Sequence, residues 1–174
     1  MLKRVLLSLA ILIVSVFLIL PALLPSEFNV ERSTVIKKDR SDIYSRIVNL
    51  ESWPEWDPWF EMEPTAEVSF DGIPGVVGSS SSWSGDKVGS GKQTLTKLIA
   101  PEYIQTELEF FTPQPSKATG FWTFTESPEG TLVTWGMKGK LDYPIGRLMG
   151  LFMDDMIGKP FEKGLNNLKT LAEK

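Results

Sequence analysis

Tyr143–Lys174, YPIGRLMGLFMDDMIGKPFEKGLNNLKTLAEK, is the stretch whose reading decides the fold. Its apolar residues Ile145, Leu148, Met149, Phe152, Met156, Phe161, Leu165, Leu168 and Ala172 recur at spacings that fit one face of a helix. Gly158-Lys159-Pro160 interrupts the run. Proline removes a backbone donor and crowds the preceding turn, so the spacing predicts a kink or short break there. Everything between residues 60 and 142 reads as short strands. A sheet built from them needs a cover for its apolar face, and this helix is the long segment left to supply it.

Working back from the helix, the strands alternate. Thr131–Lys140 sets Val133, Trp135 and Met137 inward, and Ala118–Thr125 does the same with Trp122 and Phe124. Tyr103–Phe111 places Ile104, Thr106, Leu108 and Phe110 on one face and Gln105, Glu107 and Glu109 on the other. Gly91–Ala100 puts Gln93, Leu95 and Ile99 together, Gly78–Ser84 carries Trp83, and Ala66–Phe70 opens the series. Turn chemistry separates them at Asp71–Gly75, Gly85–Lys87, Pro101-Glu102, Thr112–Pro115 and Ser127–Gly130. Tight turns between successive strands imply an antiparallel meander. Upstream, Phe28–Lys37 reads as a further strand. A helix from about Asp42 to Asn49 follows it, with Ile43, Ile47 and Leu50 inward.

Trp53-Pro54-Glu55-Trp56-Asp57-Pro58-Trp59-Phe60 then packs three tryptophans and two prolines into a helical turn and loop. Such rings bury a large area and want their N–H satisfied. Two readings stay open: a plug for one end of the core, or the wall and mouth of an apolar cavity.

Val5–Leu24 is an apolar run preceded by Lys3 and Arg4. Twenty residues of helix reach about 30 Å, the thickness of bilayer hydrocarbon. A secretory signal peptide begins the same way, but its core is shorter and ends at a small-x-small cleavage site, whereas here the far end reads Pro21-Ala22-Leu23-Leu24-Pro25. The sequence thus predicts an uncleaved signal anchor and linker over residues 1–27 and one domain over 28–174. Membrane attachment would run through residues 5–24. The leading bases keep the N-terminus cytoplasmic and the domain outside, on the periplasmic side of a bacterial inner membrane, although Lys37, Lys38 and Arg40 pull against that orientation.

Composition excludes several chemistries. The chain has no histidine and no cysteine, so histidine bases, thiol nucleophiles, disulfides and most zinc and haem ligation are absent. Its net charge is −4, and a mildly acidic domain lacks the basic footprint that nucleic acid demands. No metal-ligand spacing and no glycine-rich phosphate loop occurs, and no cofactor is expected. Asp154-Asp155 is the best acidic pair. Adjacent helical residues point about 100° apart, so it is no dyad facing one site. Arg147 is a candidate for the rim of a cavity. Ser79–Ser82 has no partner base.

In this order the chain resembles the START-like, or SRPBCC, superfamily of polyketide cyclase/dehydrase and lipid transport proteins. Three local stretches carry the resemblance: the tryptophan-proline turn at Trp53–Trp59, the strand Gly130-Thr131-Leu132-Val133-Thr134-Trp135, and Phe161-Glu162-Lys163-Gly164-Leu165-Asn166-Asn167-Leu168-Lys169 in the last helix. The resemblance implies an α+β helix-grip fold, a curved antiparallel sheet of about seven strands around the C-terminal helix with an apolar cavity between. It also implies a hydrophobic or amphipathic small molecule, such as a lipid, as partner. The membrane segment departs from the soluble members of that group. Candidate lining residues are Trp56, Trp59, Trp83, Phe110, Trp122, Phe124, Trp135, Met149, Phe152, Met153 and Met156, with methionine suited to an adaptable wall. The inward polar residues Ser81, Gln93 and Thr106 must find partners, either within the protein or at the polar end of a ligand. A cyclase- or dehydrase-like enzyme would need a shifted acid or base in the cavity, and a pure interaction module an exposed apolar patch instead.

Overall fold

Seven β-branched, aromatic and threonine-rich segments pair into one antiparallel sheet. The computed structural model describes the backbone of residues 2–174 and the side-chain surroundings of residues 3, 6 and 15–174. The elements are α1 (Leu2–Leu23), β1 (Glu27–Ile36), α2 (Arg40–Val48), a 3-10 turn (Leu50–Glu55), α3 (Pro58–Met62), β2 (Glu67–Asp71), β3 (Ser80–Gly85), β4 (Gly89–Ile99), β5 (Tyr103–Thr112), β6 (Ser116–Ser127), β7 (Gly130–Lys140), α4 (Ile145–Gly150) and α5 (Met153–Ala172). The sheet order is β1-β7-β6-β5-β4-β3-β2. The meander therefore runs from β2 to β7, and the first strand returns to pair with the last.

α5 crosses the concave face beside β1. Ile157, Gly158, Phe161, Gly164, Leu165, Leu168 and Ala172 are its buried stripe, at the three-and-four spacing of an amphipathic helix. Full burial of side chains such as Leu165 and Leu168 is worth about 1.5–3 kcal/mol each. Polar bonds fix the helix at both ends. Lys169 Nζ donates to the Val35 carbonyl at 2.7 Å, and the Lys37 N–H donates to Glu173 Oε1 at 2.8 Å. Toward the other end, the Arg32 guanidinium donates twice to Asp154 at 2.9 Å and once to Glu162 at 2.7 Å. Those bonds raise the Arg32 pKa and hold the Asp154 carboxyl below the usual range. Gly158 leaves the room in which that guanidinium lies.

The long C-terminal stretch does divide, but not at Pro160. The break falls at Leu151-Phe152, and α5 runs unbroken through Gly158-Lys159-Pro160. The carbonyl that a residue-160 N–H would have served is that of Met156, in a turn whose side chain is exposed, so water can satisfy it. β4 brings a second departure. Its register to β5 shifts between Leu95 and Lys97, and the extra residue reverses the alternation. Leu98 packs on the core, and Ile99, expected inward beside Leu95, is exposed.

α1 is helical from Leu2 to Leu23. Among the described residues no helix is long and apolar enough to cross a membrane. The side chains of residues 4, 5 and 7–14, on which much of the anchor expectation rests, lie outside the described ones.

A close approach at Gly164 gives the first prediction. A Cβ there would lie 2.7 Å from the Trp135 ring and 2.9 Å from Pro58. Trp135 is itself held between Trp122 and Phe161, at centroid distances of 4.5 and 4.2 Å, and cannot move aside. Helix propensity alone makes Gly→Ala favourable by about 1 kcal/mol, whereas overpacking costs about 1–3 kcal/mol. Denaturant unfolding of Gly164→Ala is expected to show a net loss of stability; a gain would mean that α5 does not sit this close to the sheet.

Candidate functional site

The inward rows of the sheet do not all reach α5. Near the β6–β7 turn the gap is filled by aromatic rings; toward the β5–β6 turn it is open. The result is a cavity of about 440 Å³, within the range of small-molecule sites.

Its course can be read along the strands. On β5 the inward residues run Phe110, Leu108, Thr106, and on β6 they run Ser116, Ala118, Gly120; all six line the cavity. On β7 Lys140, Met137 and Trp135 follow the same direction. The next inward residues, Ile104, Trp122 and Val133, are buried in the core and off the wall. The mouth therefore lies at the β5–β6 turn, with Pro113 and Gln114 on its lip and Met153, Met156 and Ile157 of α5 opposite.

The floor is an aromatic block. Trp122 and Trp135 face each other directly across β6 and β7 and stack with an 18° interplanar angle. Phe161 stacks on the far side of Trp135 at 16°. Trp53 and Trp56 meet both tryptophans edge-on, and Trp59 meets Trp135 and Phe161 in the same way, at 5.7–6.0 Å. The Trp53 Nε1–H donates to the Ile47 carbonyl at 2.9 Å.

Of the residues expected on the wall, Trp59, Trp83, Gln93, Thr106, Phe110, Trp135, Met153 and Met156 line the cavity. Five do not. Trp56 and Trp122 are 1% exposed and lie inside the aromatic block, covered from the cavity. Phe124, one inward position further, packs edge-on against Tyr44 of α2 at 5.6 Å. Met149 and Phe152 face outward, because the break at Leu151-Phe152 ends α4 before the chain turns onto the sheet. Arg147 does not reach the rim either: its guanidinium donates to the Pro21 carbonyl at 3.2 Å and lies over the Tyr143 ring. The tryptophan turn serves both of its readings, with Trp56 as plug and Trp53 and Trp59 as wall.

Asp57 was not anticipated. It is 6% exposed and lines the cavity. Asp57-Pro58 is a helix-start pair, and Asp57 Oδ1 accepts the Trp59 N–H at 2.9 Å, capping α3. Burial pushes its carboxyl up to about 7, opposed by that one hydrogen bond. Glu63, at the other end of α3, shows the reverse. It accepts the N–H groups of Val88, Lys87 and Asp86 at 2.8–3.0 Å, which hold it below the usual carboxylate range and tie the β3–β4 hairpin down. Among the described residues no cluster of acidic side chains is arranged to hold a metal ion. A wider depression of about 710 Å³ near Lys37, Asp42 and Glu129 is a shallow, charged surface hollow at the opposite end of β7.

The sequence from residue 27 to 173 matches the model of the family described as polyketide cyclase / dehydrase and lipid transport. The chain belongs to this family. No curated protein matches it by sequence. Solved structures share its fold. Protein CV1439 from Chromobacterium violaceum is 15% identical with a TM-score of 0.61, covering 86% of this chain and 99% of that one. Protein SA2116 from Staphylococcus aureus is 14% identical at 0.63, covering 84% and 94%. The di-domain ARO/CYC StfQ from the steffimycin biosynthetic pathway is 15% identical at 0.66, over 84% of this chain and 51% of that one. At such identity the likeness is one of fold. Within the family's sheet-and-helix frame, the cavity and its aromatic floor are made by this chain's own residues.

Asp57 gives the second prediction. A carboxyl whose folded-state pKa is raised stabilises the fold fully below its unfolded value, near 3.8, and that contribution is lost as pH rises through about 7. Asp57→Asn keeps the cap and removes the ionisation. Relative to the variant, the wild-type chain is expected to lose roughly a few kcal/mol between about pH 4 and 7 and then level off. Parallel stability–pH curves for the two proteins would contradict this.

Proposed function

We propose that the chain is a binding protein for a hydrophobic or amphipathic small molecule, lipid-like in character, held between the sheet and α5. One observation carries the reading: a cavity of about 440 Å³ entered at one end and walled mainly by aromatic, methionine and aliphatic side chains. An apolar void of that size lacks the contacts that its lining would gain from an occupant, and a greasy guest recovers them. The lipid-transport half of the family description agrees with this.

A second reading, catalysis of the cyclase or dehydrase type, draws on a different observation. Asp57 sits in the cavity with its carboxyl raised to about 7, the range in which a general acid or base works best. The ARO/CYC neighbours StfQ and BexL lend it support by fold analogy. Binding remains the stronger reading, because the polar side chains that join Asp57 on the inner wall, Ser81, Gln93 and Thr106, are hydroxyls and an amide.

We further propose that residues 5–24 tether the domain to a bilayer, with the N-terminus cytoplasmic and the domain on the far side. The length and apolarity of Val5–Leu24 support this. α1 also leads directly into β1, whose Phe28 lines the cavity.

Organic extraction of the purified full chain followed by mass spectrometry tests the binding reading. A stoichiometric apolar or amphipathic compound is expected. Ala118→Phe, which pushes a ring into the middle of the cavity, is expected to retain the fold by circular dichroism and lose the compound. Equal recovery from both proteins would place the compound elsewhere; recovery from neither, after growth and after incubation with lipid extract, would remove the reading.

A further inference from the structure

The cavity's inner end contains polar side chains that no described residue of the protein satisfies. Gln93 is 6% exposed and Thr106 1%. Neither side chain makes a hydrogen bond among the described residues, unlike Gln105 on the opposite face of the sheet, which bonds to Thr96 and Tyr103. Nor are their polar atoms sealed. Among the described residues the enclosed unpartnered side-chain atoms are Trp56 Nε1, Ser79 Oγ and Arg147 Nε, so the Gln93 amide and Thr106 hydroxyl open toward the cavity they line. They sit close together: Thr106 pairs with Leu95 on β4, two residues from Gln93 on the same face. Gly120, the partner of Thr106 on β6, carries no side chain to cover the hydroxyl. Asp57 lines the same cavity, and its sole side-chain bond uses Oδ1, which leaves Oδ2 free. Polar groups left without a protein partner in a largely apolar wall favour an occupant that can hydrogen-bond to them.

We propose that the ligand enters polar end first, and that Gln93 and Thr106, with Asp57, form a hydrogen-bonding seat for the neutral headgroup of a long-chain amphiphile, an alcohol, ketone or amide. This rests on the binding reading proposed above and adds the ligand's orientation and the class of its head. The charge on the wall fixes the class. Among the described residues the only cations there are Lys117 and Lys140, both toward the mouth; Lys117 is already paired with Glu107 and Glu109. An anionic head would find no counter-charge at the floor. A hydroxyl or carbonyl finds an amide that both donates and accepts, a hydroxyl that does the same, and a carboxyl that burial keeps largely protonated below about pH 7.

The tryptophans report orientation directly. Trp83 lies in the rim row, beside Phe110, and the other five lie at the floor or under it. In a Trp83→Phe background all indole fluorescence therefore comes from the inner end. Full-length protein is titrated with 1-dodecanol brominated either on C2, beside the carbinol carbon, or on the terminal carbon, bromine being a short-range quencher. The seat predicts stronger quenching at saturation by the head-brominated alcohol. It also predicts that Gln93→Leu with Thr106→Val weakens that alcohol's binding by about tenfold and removes the difference between the two probes. Equal quenching, or stronger quenching by the tail-brominated alcohol, overturns the polar-first seat and leaves the cavity as a ligand site. No saturable quenching by either overturns the binding reading with it.

Discussion

The column Trp122–Trp135–Phe161 is the contact on which the rest of the structure depends. Two rings come from adjacent strands and the third from α5, all three nearly parallel, at centroid distances of 4.5 and 4.2 Å. Trp53, Trp56 and Trp59 close around the column edge-on. The block thus joins sheet, turn and helix at one point, and stacked or edge-on pairs add about 0.5–1.5 kcal/mol each beyond their buried area. Because the rings are large and rigid, they hold α5 at a set height above the sheet. Toward the mouth, smaller residues such as Gly120, Ala118 and Ser116 line β6, and the same height leaves empty volume. Floor and cavity have one cause.

The three stretches that mark the family in the sequence meet in that block. The tryptophan turn supplies Trp53, Trp56 and Trp59, the seventh strand supplies Trp135, and the last helix supplies Phe161 together with Gly164, which lets the helix approach. The fold was legible because alternation, turn chemistry and helical spacing are local signals, and their order along the chain left one antiparallel arrangement. The inward rows of β5, β6 and β7 followed from period-two alternation alone. That logic failed at Ile99, where a single extra residue in β4 reverses the face, and no residue near Thr96 announces a bulge.

The site was less legible, for a related reason. Which inward residues face a cavity and which face neighbours depends on how far α5 stands from each row, a long-range property. Phe124 and Trp122 have the same pattern as Trp135 but lie where α2 and the tryptophan turn fill the space. Met149 and Phe152 share the helical spacing of Met153 and Met156 but lie before and within a break that Pro160 had seemed to place elsewhere. Asp57 had a local signal, an aspartate before a proline at a helix start. What gave it chemical interest was its burial, which depends on the floor packed around it.

The account comes down to whether the space before the aromatic floor is empty. A crystal of the protein stripped of bound amphiphile and pressurised with xenon measures this most directly, since xenon enters apolar voids without needing a hydrogen bond. The account predicts xenon density between Leu108, Ala118 and Met137 on the sheet and Ile157 and Phe161 on α5, with the Trp122–Trp135–Phe161 column undisturbed. Side chains from sheet and helix in mutual contact at those positions, with no xenon between them, would contradict it.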